Sequence, residues 1–452
     1  MKGSFNSQKT NIIRRTAAIV ACKAASALGK LAGRGSSLPG RIALTIYPRI
    51  LSELALPPVV IAVSGSNGKT STVEMICAVL RAAGIDCASN REGSNQIEGV
   101  TAVLIENSGI DLRSRREAVV LEVDERYARL VFRWFTPTCY VITNLFRDQL
   151  TRNGHPENVA EALRESLRDG TTLIVNADDP MSSSLAAGFP GRTVAYALEG
   201  EHAVAGMDRS VYDDSLFCPV CGERMERPGA PGHLYSCGAC GFSSPKPDHT
   251  AKFTGQGAGR ILIDGELEAE LPDRSIYTAY NMLSAYCACI LSGVAPETAA
   301  GTLGGYMLKN GRRVSFSLGG HSGTFLASKH ENSVSYDQNL LSAVSHPGDV
   351  SVYVLVDAIS RKYFTSDTSW LWDVDFGIMA SPNVKRIVLG GRYANELRLR
   401  LGFCGIDGDI IRSSVDIAES VRILKQDAVG HIYALTCFSD EKKLFRELEA
   451  QK

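Results

Sequence analysis

The stretch Val59-Val60-Ile61-Ala62-Val63-Ser64-Gly65-Ser66-Asn67-Gly68-Lys69-Thr70-Ser71-Thr72-Val73 decides how this chain is read. The β-branched run Val59–Val63 predicts a buried strand, and Val73, Ile76, Cys77 and Leu80 recur at helical spacing from Thr70 onward. Between strand and helix lie Gly65, Ser66, Asn67, Gly68, Lys69, Thr70 and Ser71. Glycines let a backbone approach an anion closely, the amides of the following helix point at it, and a lysine adds a fixed charge. Such a turn predicts a nucleotide-phosphate cradle, with the Thr70 hydroxyl placed for magnesium. The general phosphate-loop pattern wants a glycine where Val63 stands, so the match is to a shortened Gly-Ser-Asn-Gly-Lys-Thr variant.

Strand signals recur downstream at Ala118–Val123, Cys139–Asn144 and Thr172–Asn176, separated by helix-length segments. Short apolar strands alternating with helices predict a mostly parallel sheet covered on both faces, with ligands at the strands' carboxyl ends. The polar residues there are Glu122 with Asp124 and Glu125, then Asn144, Arg147 and Asp148, then Asn176, Asp178 and Asp179. Glu122 is the candidate second magnesium ligand beside Thr70, since magnesium takes oxygen donors. For Asp148, Asp178 and Asp179 a capping role fits at least as well.

Cys218-Pro-Val-Cys221 and Cys237-Gly-Ala-Cys240 form two knuckles with fifteen residues between them. This is the spacing of a four-thiolate zinc ribbon, in which zinc is fully coordinated and therefore structural. Around it Asp213, Asp214, Glu223, Glu226 and Asp248 offset Arg224, Arg227, Lys246 and Lys252, so there is no basic footprint for nucleic acid.

With 452 residues, 44% of them hydrophobic and 21% charged, the chain has room for two or three globular domains. Its net charge of -1 excludes a global pull toward polyanions. The remaining cysteines are scattered singly, which predicts a reducing cytoplasm rather than a disulfide framework. Charge is nevertheless uneven: Lys2, Lys9, Arg14, Arg15, Lys23, Lys30, Arg34, Arg41 and Arg49 all precede the first acidic residue, Glu53. Ile13, Ala17, Val20, Ala24 and Leu28 form a helical stripe within this basic segment. Two readings stay open for it, an arm packed on the next domain or contact with an anionic inner membrane face. The apolar run Thr16–Leu28 is too short to span a bilayer, and Gly35–Gly40 is read as a turn.

The boundaries expected are a basic segment at 1–50, an ATP-binding domain at 51–305 with the ribbon inserted at about 212–245, and a smaller α/β domain at 312–452. Lys309–Arg313 reads as a hinge. The last region has strand signals at Val352–Val356, Arg386–Leu389 and Ile432–Leu435, with helices at Tyr393–Leu401 and Val415–Lys425. Its most distinctive stretch is Ser366-Asp367-Thr368-Ser369-Trp370-Leu371-Trp372-Asp373-Val374-Asp375-Phe376, just beyond a strand ending at Asp357.

The shortened loop resembles that of the Mur ligase family, ATP-dependent enzymes that activate a carboxylate as an acyl phosphate and join it to an amine. Leu121–Glu125, Thr143–Leu150 and Asn176–Pro180 look like the successive motifs of that family's central domain, and Tyr277–Ala285 like the helix whose asparagine lies near adenine. Asn281 inherits that role by position. A ribbon-bearing central domain followed by Asp-x-Ser-Trp-x-Trp-Asp is similar, more narrowly, to the MurT family. Its members are synthetase subunits of lipid II isoglutaminyl synthase, which amidate the α-carboxylate of D-glutamate with ammonia from a glutaminase partner of the GatD type. The resemblance implies ATP, magnesium and zinc, Lys69 as the charge-neutralising catalytic group, and an aspartate serving the ammonia or the partner's Cys-His pair. Alignment of Asp-Thr-Ser-Trp points to Asp367 for that aspartate, with Asp357, Asp373 and Asp375 as the other candidates. The loop Ala358–Ser366 departs from the family's usual stretch, and Gly311-Arg312-Arg313 lacks the glutamate expected after Gly-Arg. Two other function classes stay open: a ligase of the Mur or folylpolyglutamate type that adds an amino acid, and a nucleotide-controlled zinc-ribbon binding module.

Overall fold

A computed structural model describes residues 2–31, 37–90, 94–200, 216–226, 235–254, 259–272, 275–307, 313–329, 331–358 and 367–451. All of the hinge expected at Lys309–Arg313 except Arg313, and most of the divergent loop before Asp367, lie outside the described residues. The chain divides into two compact units. The first comprises Met1–Phe146, His155–Gly206 and Ser215–Met307; the second comprises Arg147–Gly154, Met207–Asp214 and Leu308–Lys452.

The first unit opens with helices α1 (Lys2–Leu31) and α2 (Leu38–Ile46). The turn expected at Gly35–Gly40 is therefore corrected at its second half, where Pro39 lies in the first turn of α2, a position at which its missing N–H costs nothing. A nine-stranded sheet follows. Its strands are β1 (Val59–Ser64), β2 (Cys87–Ser89), β3 (Ala118–Glu122), β4 (Cys139–Ile142), β5 (Thr172–Asn176), β6 (Thr193–Glu199), β7 (His249–Thr254), β8 (Arg260–Ile263) and β9 (Leu267–Glu270). They run in the order β2-β3-β1-β4-β5-β6-β7-β8-β9, parallel as far as β7 and antiparallel after it.

β1 to β5 are apolar at nearly every position because helices cover both faces. On one side Val60, Ala62, Leu121, Tyr140, Ile142 and Leu173 share a core. α3 (Lys69–Ala82) and the helix Ile276–Leu291 pack together, the latter with Ala279, Met282, Leu283 and Ala285 fully buried. β1 sits between β3 and β4, where the strand order reverses. The loop leaving β1 thus opens at the switch point, where parallel sheets leave a crevice.

The second unit carries a six-stranded sheet: β10 (Arg313–Leu318), β11 (His321–Ser328), β12 (Val350–Leu355), β13 (Val384–Gly390), β14 (Ile411–Ser414) and β15 (His431–Cys437). The order is β10-β11-β15-β12-β13-β14, with only the β10–β11 hairpin antiparallel. The three strands expected from apolar runs form its centre. β11 and the edge strands β10 and β14 give no such run, because polar residues interrupt their apolar positions and weaken the signal.

Candidate active site at the phosphate loop

Gly65 and Gly68 set the shape of the loop between β1 and α3. Gly68 has φ +83°, and a Cβ built there would lie 2.0 Å from Asn281 Oδ1, so no other residue fits without displacing that side chain. Gly65 has φ +130°, and its Cβ would meet Thr143 Oγ1 at 2.2 Å. The loop is held from the β4 side: Asn67 N–H donates to Asn144 Oδ1 at 2.9 Å, and Thr143 Oγ1 donates to the Asn67 carbonyl at 2.6 Å. Ser66 Oγ pairs with the Phe146 carbonyl and accepts from its N–H, both at 3.0 Å. Thr143 and Asn144, which end a strand in the sequence, thus act as braces.

Lys69 heads α3 and is buried. Its ammonium donates to the Gly65 carbonyl and is paired with the buried Glu125 carboxylate. Sequence reasoning named Glu125 only as a strand-end acid; nothing in its spacing could identify it as the lysine's counter-ion. A buried pair of this kind costs several kcal/mol when one partner is removed, since the other charge is left desolvated.

Beside it, the Thr70 hydroxyl donates to Glu122 Oε2 at 2.7 Å. Register places Glu122 opposite Val63, the next-to-last residue of β1 before the loop. Two oxygens of a magnesium octahedron at ~2.1 Å bonds lie about 3 Å apart, so this hydroxyl and this carboxylate fit adjacent ligand positions. Glu122 is fixed further by Asn95 Nδ2 on Oε1 at 3.0 Å and by Asn90, which accepts its N–H at 2.8 Å and donates to its carbonyl at 2.7 Å. Neither asparagine carries a motif that would have revealed it. Ser71 follows in the first turn of α3, and Asn281 lies on Ile276–Leu291 with its amide against Gly68.

Asp178 and Asp179 have structural duties. Asp178 accepts from Leu198 N–H and Tyr280 OH, both at 2.8 Å; burial pushes its carboxyl up to about 6 in spite of these bonds. Asp179 caps the turn Pro180–Ser183 through Met181 N–H at 3.0 Å and accepts Leu145 N–H at 2.7 Å. Asp148 belongs to the second unit, where Asn332 Nδ2 donates to it at 2.8 Å and Lys329 lies 3.6 Å away.

The four ribbon sulfurs all lie within 4.8 Å of one another, Cys218 to Cys240 at 3.6 Å and Cys221 to Cys237 at 3.5 Å. Zinc–sulfur bonds of ~2.3 Å give a tetrahedral edge of about 3.8 Å, so the set fits zinc. The knuckles are built alike: Gly222 N–H donates to the Cys218 carbonyl at 2.8 Å and Gly241 N–H to that of Cys237 at 2.9 Å. Tyr235 stacks on Phe242 and its hydroxyl bonds Ser183, which ties the ribbon to the turn behind β5.

In the second unit Asp367 is exposed and accepts Ser369 N–H at 2.9 Å, two residues before the short helix Ser369–Trp372 begins; its bonds to Ser369 hold its carboxyl below the usual range. Asp357 accepts Arg392 N–H at 3.1 Å and is paired with Lys443, which also bridges to the fully buried Asp440 at 3.0 Å. Burial pushes the Asp357 carboxyl up, but Lys443 and the Arg392 amide outweigh it and leave it low. Asp440 was missed in the sequence, yet its Oδ2 takes the N–H groups of Asp357 and Ala358 at 2.9 and 2.8 Å. Asp373 lies 3.8 Å from Arg147, and Asp375 caps Phe376–Ala380.

Comparison with known proteins places these features in a family. A model described as Mur ligase middle domain matches residues 63–220, and one described as MurT ligase C-terminal matches residues 330–440. The chain is 30% identical over 398 residues to the lipid II isoglutaminyl synthase (glutamine-hydrolyzing) subunit MurT of Staphylococcus aureus (strain COL), covering 87% of each chain. It is 25% identical over 430 residues to the subunit of that name from Streptococcus pneumoniae, covering 93% of each. Among solved structures, a pseudomurein peptide ligase type C from Methanothermus fervidus has a TM-score of 0.64 at 17% identity, covering 89% of this chain and 80% of that one. MurF from Acinetobacter baumannii has a TM-score of 0.64 at 16% identity, covering 91% and 80%. These two likenesses speak for the fold, a Mur ligase-like α/β architecture. With the middle-domain loop, the ribbon and the C-terminal unit in one chain, and with relatives aligned over most of their length, this protein belongs to the MurT family of ligases.

Proposed function

We propose that this chain is the ATP-dependent synthetase subunit of an amidoligase that converts the α-carboxylate of D-glutamate in the lipid II stem peptide to the carboxamide of D-isoglutamine. The observation that carries this reading is the loop Gly65–Ser71, in which a buried lysine, a threonine hydroxyl and a strand-end glutamate converge on one turn.

ATP is bound along the loop amides, with Asn281 at its edge. Thr70 and Glu122 would hold magnesium, which when bound supplies charge neutralisation across the phosphates. The peptide carboxylate oxygen attacks the γ-phosphorus, the bond to the β-phosphate oxygen breaks, and ADP leaves. Lys69 balances the charge that develops on the transferred group, passing from Glu125 to the phosphate oxygens as it does so. Ammonia then attacks the acyl carbon with its lone pair, inorganic phosphate departs, and the nitrogen loses a proton. Positioning and electrostatics account for most of the rate in such transfers.

Ammonia comes from a GatD-like glutaminase subunit. Asp367, exposed and ionised at the head of the Ser369–Trp372 helix, is the candidate that orients it or completes the partner's Cys-His pair. The cysteine ribbon would hold zinc as a closed structural site, and the reaction is placed in the cytoplasm. The test is amidation of lipid II by the purified chain with ATP, using ammonium alone or glutamine plus the glutaminase, read by mass spectrometry. Conversion with ammonium, and none with D- or L-amino acids, is the expected result. ATP consumption that depends on an amino acid acceptor would overturn it. Asp367→Asn is expected to abolish the glutamine-driven reaction and keep the ammonium-driven one; full glutamine-driven activity would remove Asp367 from its role.

A further inference from the structure

α1 has two faces of different character. Ala18, Ile19 and Cys22 are buried in the core with Ala43, Ile50 and Leu51. The cations beside this face are tied down: Lys23 donates to the carbonyls of Glu106 and Ser108 at 3.3 and 2.6 Å, Arg14 to that of Ile46 at 2.9 Å, and Arg15 to the Glu53 carboxylate at 3.0 Å. The helix is thus fixed on its unit. Its opposite face is exposed and apolar: Ile13 is 69% exposed, Val20 51%, Leu28 67% and Leu31 86%.

At about 100° per residue, Ile13, Val20, Ala24 and Leu31 fall on one line and Leu28 lies beside it. From Ile13 to Leu31, the half-buried Thr16 is the single polar residue within about 60° of that line; in the first turns Lys2, Asn6, Lys9 and Thr10 fall on it by sequence. A solvated helix normally carries its charged residues there.

We infer that this face lies in the interfacial plane of an anionic lipid bilayer. Three observations select that occupant. The segment through Ser52 carries nine Lys and Arg and no acid; Arg15 and Lys30 are paired with Glu53 and Glu106 at 3.0 Å, and the remaining positive surplus attracts it to anionic headgroups, with Arg41 and Arg49 exposed on the adjoining elements. A second copy would bring the same positive surplus against itself, which disfavours self-association. No described helix is long and apolar enough to cross a membrane, so α1 lies along the surface rather than through it. The inference uses no residue of the phosphate loop.

Flotation of the full chain with vesicles tests it. Wild type is expected to float with phosphatidylglycerol-containing vesicles and at least about tenfold less with pure phosphatidylcholine or in ~1 M salt. The variant Ile13→Ser/Val20→Ser/Leu28→Ser/Leu31→Ser should lose that binding about tenfold while keeping the wild-type unfolding temperature and ATP-dependent stabilisation, because these side chains face away from the core. No flotation of wild type, equal flotation of the variant, or binding indifferent to lipid charge would overturn the inference. So would a dimer, or a complex with the glutaminase, that the same variant abolishes in sedimentation while vesicle binding is absent. Amidation of a short-chain, water-soluble lipid II analogue should be equal in both proteins, so failure here is separable from failure of the catalytic reading.

Discussion

Two lysines bridge carboxylates at the ends of parallel strands in this protein, one in each unit, and they make a controlled contrast. Lys69 is buried against Glu125, with side chains 8% and 5% exposed; Lys443, at 40%, spans Asp357 and Asp440. Burial lowers the Lys443 ammonium, but its two carboxylate partners outweigh that and raise it. Lys69 heads α3 directly after a loop shaped by Gly65 and Gly68; Lys443 is in the first turn of the helix Glu441–Ala450, and its partner Asp440 spends an oxygen on backbone N–H groups. The same charge pattern on the same sheet class thus yields a candidate reaction centre in one unit and a structural clamp in the other. The loop makes the difference.

Mutation can break that contrast. Lys69→Ala should lower ATP-dependent turnover on the order of a thousandfold. It also strands Glu125, so Lys69→Ala/Glu125→Gln should recover thermal stability without recovering activity, measured by calorimetry and phosphate release. A double variant that regained turnover would show the lysine to be merely structural.

Gly68→Ala is the next largest, because it meets both an unfavourable φ and the Asn281 side chain. ATP affinity should fall about ten- to a hundredfold by isothermal titration, and adding Asn281→Ala should restore only part of it, since the strain of about 1 kcal/mol or more at positive φ persists. Zinc removal should act differently. A tight chelator or Cys237→Ser should release about one zinc per chain and loosen the packing of Tyr235 on Phe242, seen as lost near-ultraviolet dichroism, with ATP binding kept.

In the second unit, burial raises the Asp337 carboxyl to about 8, and its Oδ2 has no hydrogen-bond partner among the described residues. The folded chain therefore keeps a proton between about pH 4 and pH 8 that the unfolded chain has released, and stability falls as pH rises through that window. Asp337→Asn should flatten this dependence and raise the unfolding temperature at alkaline pH, since its amide oxygen can still accept the Asp375 N–H bond found at 2.8 Å. The smallest effect is expected from Lys443→Ala, about 1 kcal/mol of stability with unchanged ATP affinity. A collapse of nucleotide binding in that variant would erase the distinction between the two lysines.

Much of this could be read from local signals. Val59–Ser64 and α3 follow from a β-branched run and a helical period, the ribbon from Cys-x-x-Cys spacing, and the phosphate loop from Gly-x-x-Gly-Lys-Thr, because each is encoded within a few consecutive residues. The central strands β12, β13 and β15 were legible for the same reason, while β7 to β9, β11 and the edges β10 and β14 were not. What the linear chain could not disclose were the pairings across it: Glu125 with Lys69, 56 residues apart; Asn95 with Glu122; Tyr280 with Asp178, 102 apart; Asp440 with the Asp357 amide, 83 apart. Those depend on which strand ends become neighbours when the sheet closes. Local propensity specifies an element, but the burial of one charge against another is decided by packing, and so the roles of the strand-end acids emerged only once the strands were in order.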